Sequence, residues 1–280
     1  MNLRKHFGIS AVMAILFLAP AVASHAQKCI PVRLDKDNLA FKGGEKLVFT
    51  IHYKWGLVNA DVAQATIRLD STKLNGRKVY HGSLSGNTQK IYEQVFKVRE
   101  HMDSWFTCDD FKPVKFTRDA REGNYWCTNL YTYSGNQINA TINNSRKGEF
   151  NVTLPVDNCT FDLPLMYYVM RNLDVSKLKV GGRYPMTFAC DSHVRTLSFV
   201  YLGKENRKVR GMGTVRCLKF GFDVVKGEVF SGDSQLYAWF TDDANKMPVY
   251  FVAPLKLGEV RGRLYTSSGV RHKFTCIESD

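Results

Sequence analysis

No two of the seven cysteines in this sequence stand in a Cys-x-x-Cys spacing. That absence leaves a zinc knuckle and a thioredoxin-type redox motif without support. A phosphate loop, a dinucleotide fingerprint and a His-Glu-x-x-His pair are missing too. Gly82-Ser-Leu-Ser-Gly86 fails as a nucleophile elbow. Its serines flank the required centre, and it sits in what reads as a strand instead of a strand-to-helix turn. After residue 26 no run is apolar for the roughly 20 residues that a membrane-spanning helix needs. No low-complexity linker divides the chain, and no repeat is obvious. These absences leave no legible catalytic machinery, no cofactor and no metal site, and they favour one continuous domain.

What is present begins at the N-terminus. Arg4 and Lys5 precede an almost wholly apolar stretch from Ile9 to Val22, and Ser24-His25-Ala26 fits the small-x-small cleavage rule. That pattern predicts a secretory signal peptide over residues 1–26, with Gln27 opening the mature chain. Cys29 is preceded by Ala26-Gln27-Lys28, which does not fit a lipobox. It is read as an ordinary thiol or disulfide partner. The mature protein is expected to be exported, to the periplasm or cell envelope of a bacterium, and to have no transmembrane segment.

Removing residues 1–26 takes away Arg4, Lys5 and no acid, so the net charge falls from +13 to +11. A basic balance can answer to nucleic acid, anionic membrane or anionic glycan. Export argues against nucleic acid. The basic residues are also dispersed, at Lys46, Lys54, Arg68, Lys97 and Arg99 among others, as solvated strand faces would be. All seven cysteines lie in the mature chain, and an oxidising compartment permits disulfides between them. The odd count leaves at least one thiol unpaired within a monomer. Cys108 and Cys127 flank what reads as a strand turn and form the candidate bridge.

Two-residue alternation dominates the rest. Leu47, Phe49, Ile51, Tyr53 and Trp55 alternate with mostly polar neighbours, and Ala63, Ala65, Ile67 and Leu69 repeat the pattern. With Gly56–Ala60 as the turn, the two read as an antiparallel hairpin. Further strands are predicted over 79–84, 92–99, 104–107, 114–119, 125–133, 137–143 and 149–153. Gly-Asn and Asn-rich steps between several of them suit tight turns. Strands resume over 183–189, 195–202, 215–224, 235–240, 249–252 and 259–265. Between the two series, Leu163, Met166, Tyr167, Met170 and Leu173 fall at helical spacing behind Asp162, a good N-cap, with Pro164 in the first turn. The expected fold is all-β and mainly antiparallel, a curled sheet or partly open barrel with one amphipathic helix over 162–173. An N-terminal meander spans 41–154 and a C-terminal one 183–277, within a single β-rich domain over 27–280. So many alternating strands must curl to bury one face.

Candidate chemistry is sparse. Asp109-Asp110 and Asp242-Asp243 are adjacent acids, but neighbours on a strand point to opposite faces, and both pairs adjoin turns. His52, His81, His101, His193 and His272 show no metal-ligand spacing. The aromatics and methionines say more. Tyr53, Trp55, Trp239, Met166, Tyr167 and Met170 are either core or the lining of a cavity under the helix.

Three segments carry a family resemblance. The first is Phe41-Lys-Gly-Gly-Glu45-Lys-Leu47-Val-Phe49, running into Tyr53-Lys-Trp55-Gly56. The second is Asp162-Leu-Pro-Leu-Met-Tyr-Tyr-Val-Met-Arg171-Asn-Leu, followed by Val180-Gly181. The third is Trp239-Phe-Thr241-Asp-Asp243-Ala-Asn-Lys-Met-Pro248-Val249, then Gly258-Glu-Val-Arg-Gly-Arg-Leu264. In this order they resemble the exported bacterial family called domain of unknown function 3108, over about Phe41 to Lys273. Asp61 departs from it, standing where a small residue is expected after the first hairpin turn. The resemblance implies an envelope protein with a curled β architecture and carries over no activity and no functional residues.

Three functions fit these readings. One is non-catalytic binding of a lipid-like or glycan ligand in the curled sheet. Another is a scaffold role through an envelope protein partner. The third is a polymer hydrolase whose acids, or Ser/His pair, converge from distant strands.

Overall fold

The computed structural model describes residues 30–32, 36–94, 96–157, 159–224 and 235–278. The expected signal peptide and Cys29 lie outside them. Fifteen strands form a single sheet in the order β8-β7-β6-β5-β4-β3-β2-β1-β15-β14-β13-β12-β11-β10-β9. The chain enters at the middle, in β1 (Glu45–Trp55). It walks to one edge through β2 (Val58–Leu74), β3 (Arg77–Thr88), β4 (Val98–Thr107), β5 (Pro113–Glu122), β6 (Tyr125–Ser134), β7 (Gln137–Asn144) and β8 (Gly148–Pro155). It then crosses to the other edge with β9 (Thr160–Phe161) and helix α1 (Leu163–Arg171). From there it walks back through β10 (Arg183–Cys190), β11 (His193–Val209), β12 (Gly213–Asp223), β13 (Gln235–Thr241), β14 (Pro248–Pro254) and β15 (Glu259–Ser268). β15 pairs with β1, so the two meanders are joined by a ladder. Every pairing is antiparallel except β9 with β10.

Curling follows from arithmetic. Fifteen strands laid flat, at a spacing of about 4.8 Å, would put the edges some 67 Å apart. Yet only four residues lie between the end of β8 and the start of β9, and the five backbone steps from Pro155 to Thr160 reach at most about 18 Å. The edges must therefore approach. They do so through side chains: Leu154 of β8 and Ala189 of β10 share a core with Met102, Phe116, Tyr131 and Ile138. No ladder joins β8 to β9 or β10, and the sheet is not closed. Asp191, in the β10–β11 turn, fastens this seam. Its carboxylate accepts from Arg118 Nη1 (3.2 Å) and Asn129 Nδ2 (2.9 Å), and its carbonyl accepts from the Tyr131 hydroxyl (2.7 Å).

Alternation places the strands, with one clear departure. The strands expected at 92–99 and 104–107 are one strand, β4, preceded by a 3-10 turn at Lys90–Tyr92. The buried side of β4 holds Glu100, Met102, Ser104 and Phe106, so two of its core positions are polar and the apolar alternation fades. The first turn is also tighter than expected. β1 runs to Trp55 and β2 begins at Val58, leaving only Gly56 and Leu57 between. Gly56 has φ +54°, a conformation that glycine adopts freely. Asp61 thus lies inside β2, where it accepts from His52 Nδ1 (2.8 Å) and Arg263.

α1 forms where the N-cap predicts it. Asp162 Oδ1 accepts from Leu165 N at 2.9 Å, and Pro164 occupies the first turn. Nine residues are too few to hold a helix in water. Packing supplies the rest, because Leu165, Met166, Tyr168, Val169 and Met170 are all buried. Each contributes about 1.5–3 kcal/mol at full burial. The helix lies against β3, β4 and β10, under the curl of the sheet. Gly82 of β3 makes room for it, since a Cβ there would meet the Tyr168 ring at 2.6 Å.

Candidate functional site

The six residues singled out from sequence divide between two cores. Met166 and Met170 are buried with α1, among Phe41, Phe106, Phe111, Phe188 and Phe199. Tyr53 and Trp239 are buried in a second cluster with Leu47, Phe49 and Val260, and Trp55 packs on its rim. Tyr167 touches both clusters, and its hydroxyl lies 3.2 Å from the donating Nη1 of Arg171. The Tyr53 hydroxyl donates to the Leu257 carbonyl, and the Trp239 indole N–H to Glu205. Tyr53, Met166, Met170 and Trp239 are each less than a tenth exposed. Cys108 and Cys127 are not bridged. The register explains why: Cys127 aligns through Ala120 with Glu100, whereas Cys108 follows Thr107 at the other end of β4. Seven residues of strand separate the two ends, about 23 Å, whereas a disulfide needs Cα atoms within about 7 Å. Cys159 is disulfide-bonded.

Register, which sequence reading lacked, brings a different set together. Tyr184 pairs with Phe199, Phe199 with Phe222, and Phe222 with Leu236. This row crosses β10 to β13 on the side that carries α1. Tyr184 stacks on Phe199 at 5.3 Å, and Phe222 lies 6.2 Å from Phe199 and 6.4 Å from Phe220. Phe199 is sealed, but Tyr184, Phe222 and Leu236 are only half-buried, as is neighbouring Leu197. The floor of the α1 core therefore continues beyond the helix as an apolar, partly open shelf. Such a surface suits hydrocarbon, because aromatic and branched side chains gain by shedding water against it. The sequence signal was Phe220-Gly-Phe222, two rings on one face of a strand, next to Tyr184 and Phe199 on neighbouring strands.

Polar groups line the interior at the other end. Arg118 donates to both oxygens of Glu100 (2.9 and 3.0 Å), and both are buried. Burial lifts the Glu100 carboxyl above the usual range against the pull of that guanidinium. Asp162 is wholly buried, and burial pushes its carboxyl up to about 7 against bonds from Leu165 N and Ser104. The adjacent acids have separate tasks. Asp110 accepts from Thr107 and pairs with Lys112. Asp242 pairs with Lys204 and Arg216, while Asp243 accepts from Thr241 and Asn245. Asp103 binds both His81 (2.8 Å) and His101 (2.9 Å). Ser192 and His193, 3.1 Å apart, are chain neighbours in an exposed turn. Among the described residues, no group of three or more His, Cys, Asp or Glu side chains is arranged to hold a metal. None of the helices described there is long and apolar enough to cross a membrane.

Comparison with solved structures finds a similar chain described as a beta-barrel-like protein of domain of unknown function DUF1849 from Brucella abortus. The two are 10% identical, with a TM-score of 0.49, over 88% of this chain and all of that one. No curated protein matches the sequence. The family described as Protein of unknown function (DUF3108) matches residues 48–265, which take in both meanders and α1. On that match the chain belongs to the DUF3108 family.

Proposed function

We propose that this is an exported, non-catalytic binding protein that holds an apolar chain, such as the acyl portion of a lipid, against the shelf formed by Tyr184, Phe199, Phe222 and Leu236. One observation carries the reading. The row of Tyr184, Phe199, Phe222 and Leu236 is continuous with the α1 core yet partly open to solvent at three of its four members. Exposed apolar surface of this kind is costly to leave in water and marks contact sites. Export to the periplasm or cell envelope is supported by the pattern of residues 1–26, and there a carrier would meet lipid.

The test uses the mature chain and cis-parinaric acid, whose fluorescence rises in apolar surroundings. Saturable binding near one probe per chain is expected, with palmitate displacing it. Phe222→Asp and Leu236→Asp, at half-buried positions, should weaken binding at least tenfold while the melting temperature stays within a few degrees. Binding unchanged in both variants, or no saturable binding at all, refutes the proposal. Native mass spectrometry of protein purified from its host should also retain an apolar mass.

A further inference from the structure

Arg207 is held in an unusual way. Its guanidinium carbon lies 3.5 Å from the Tyr250 ring centroid and 4.3 Å from that of Trp239. Among the described residues its guanidinium forms no hydrogen bond and no ion pair, and the nearby carboxylate that feels its charge is Glu205, two residues along on the same face. A planar guanidinium packed against two rings is fixed in orientation, and its N–H donors remain available.

The strands explain the placement. Lys219, Trp239, Tyr250 and Arg263 follow one another in register across β12, β13, β14 and β15. They alternate with the Phe220–Ala238–Phe251 row, so they face away from it. The register of β11 against β12 shifts between Tyr201 and Gly203. That shift brings Glu205 and Arg207 to the side of Lys219. Lys219 lies 5.1 Å from the Trp239 ring and 5.8 Å from Tyr237. Glu205 is the acid within this group, and both its oxygens are committed, one to Lys219 Nζ (3.0 Å) and one to the Trp239 indole N–H. Arg263, half exposed, extends the basic strip and pairs with Asp61.

We propose that Arg207 is the centre of an oxyanion-binding site, flanked by Lys219 and Arg263, that takes the phosphate or carboxylate groups of an acidic polymer. The fork of a guanidinium matches an oxyanion bidentately, and the rings beneath it remove the entropy of holding it there. Arg207 covers one face of Trp239 and one of Tyr250, and Trp239 is itself buried, so the ligand is recognised by its charge and not by stacking of a sugar ring. The net charge of +13, or +11 once Arg4 and Lys5 are removed with residues 1–26, favours approach of such a polymer. This site is separate from the apolar shelf, which lies on the other side of the sheet.

The test measures binding of linear polyphosphate, polygalacturonate and inorganic phosphate by titration calorimetry on the mature chain, at low and at physiological salt. Arg207→Ala should weaken polymer binding about tenfold, and Arg207→Lys should recover little of it, because an ammonium neither forks nor stacks. Lys208→Ala, one residue along and on the opposite face, should bind as the wild type does. Melting temperatures of all three should match the wild type. Tight binding of both polymers, lost in Arg207→Ala, supports an acidic chain as the ligand. Inorganic phosphate bound as tightly as the polymers, and equally dependent on Arg207, supports the site with a small free anion as its occupant. Polymer binding unchanged in Arg207→Ala, or fully restored by Lys, overturns the proposal.

Discussion

Glu45 and Arg171 lie 126 positions apart in the chain and form an ion pair that water does not reach. Arg171 Nη2 donates to Glu45 Oε2 (3.0 Å), to the Ala40 carbonyl (2.9 Å) and to the Asn245 carbonyl (3.0 Å). Each of the three segments that carry the family resemblance supplies a part: Glu45, Arg171 and Asn245. Burial works against the charge of Arg171, but Tyr167 and Glu45 together more than offset it. In this chain the three segments thus meet at the cradle of a buried guanidinium, which ties α1 to β1 and to the β13–β14 loop.

Breaking that pair from one side should be costlier than removing it whole. Arg171→Met strands a buried carboxylate, and Glu45→Gln strands a buried guanidinium. Each is expected to lower stability by about 3–5 kcal/mol, whereas a double variant of apolar residues recovers much of the loss. Because the cycle needs an apolar single at position 45, Glu45→Leu stands in for Glu45→Gln, and urea denaturation of Arg171→Met, Glu45→Leu and the double variant measures it. Additive losses in the double variant would contradict the coupling.

Asp162 should make stability fall with rising pH. Its carboxyl has an ordinary value near 3.8 and is raised to about 7 in the folded chain by burial. The folded state therefore holds the proton more tightly than the unfolded one. Stability from this group is full below pH 4 and is lost progressively up to about pH 7, where ionisation must occur inside the core. The span corresponds to about 4 kcal/mol as an upper figure. Asp162→Asn keeps a good N-cap without the ionisable group. Relative to the wild type it should gain stability between pH 4 and pH 8, read as a difference in urea midpoints. Parallel pH profiles for the two proteins would show that Asp162 ionises as an ordinary carboxyl.

Much of the fold was legible because most core positions are apolar and every second one faces inward. β1, β6 and β7 were read nearly end to end for that reason. β4 was misplaced because Glu100 and Ser104 occupy its core positions, and their partners, Arg118 and Asp162, are remote in sequence. β2 and β11 were read too short because their ends, at Ser71–Leu74 and Lys204–Lys208, bury little on either face. The candidate site was less legible. Tryptophans and methionines were weighted for their chemistry; Trp239, Met166 and Met170 lie buried in the two apolar clusters, and Trp55 on the rim of one. The shelf depends on register across four strands, which alternation alone does not supply. Arg171 was visible as a charge closing an apolar helix, a sign of a buried pair that the sequence reading did not take up.

Gly262 of β15 and Phe251 of β14 should behave as one unit. A Cβ on Gly262 would fall 1.9 Å from the Phe251 ring. The ring fills the space that a side chain on Gly262 would need. Gly262→Ala is therefore expected to cost about 1–3 kcal/mol through overpacking. Phe251→Leu leaves room beside the same backbone. The double variant should be less destabilised than the sum of the two singles by at least 0.5 kcal/mol, the threshold at which contacts couple. A strictly additive cycle would mean that the ring is displaced at no cost.

Asp191 should govern how firmly the two edges of the sheet hold together. Between β8 and β10 no ladder bonds exist, so the seam depends on the apolar cluster that holds Leu154 and Ala189 and on the bonds from Arg118, Asn129 and Tyr131 to Asp191. The residue adopts φ +45°, a strained conformation for aspartate. Asp191→Gly removes the carboxylate, keeps the carbonyl that Tyr131 needs, and relieves about 1 kcal/mol of backbone strain. Loss of two hydrogen bonds from charged or amide donors costs about 1–3 kcal/mol. The net loss of global stability is then at most about 2 kcal/mol, and it falls at the seam. Hydrogen–deuterium exchange should therefore accelerate in Gly148–Pro155 and Arg183–Cys190 by about tenfold, the factor set by 1.4 kcal/mol of local opening. The β1–β2 hairpin, remote from the seam, serves as the internal control and should exchange as before. Acceleration spread evenly through both regions would instead mean global destabilisation, and no acceleration at β8 would mean that apolar contacts alone close the sheet.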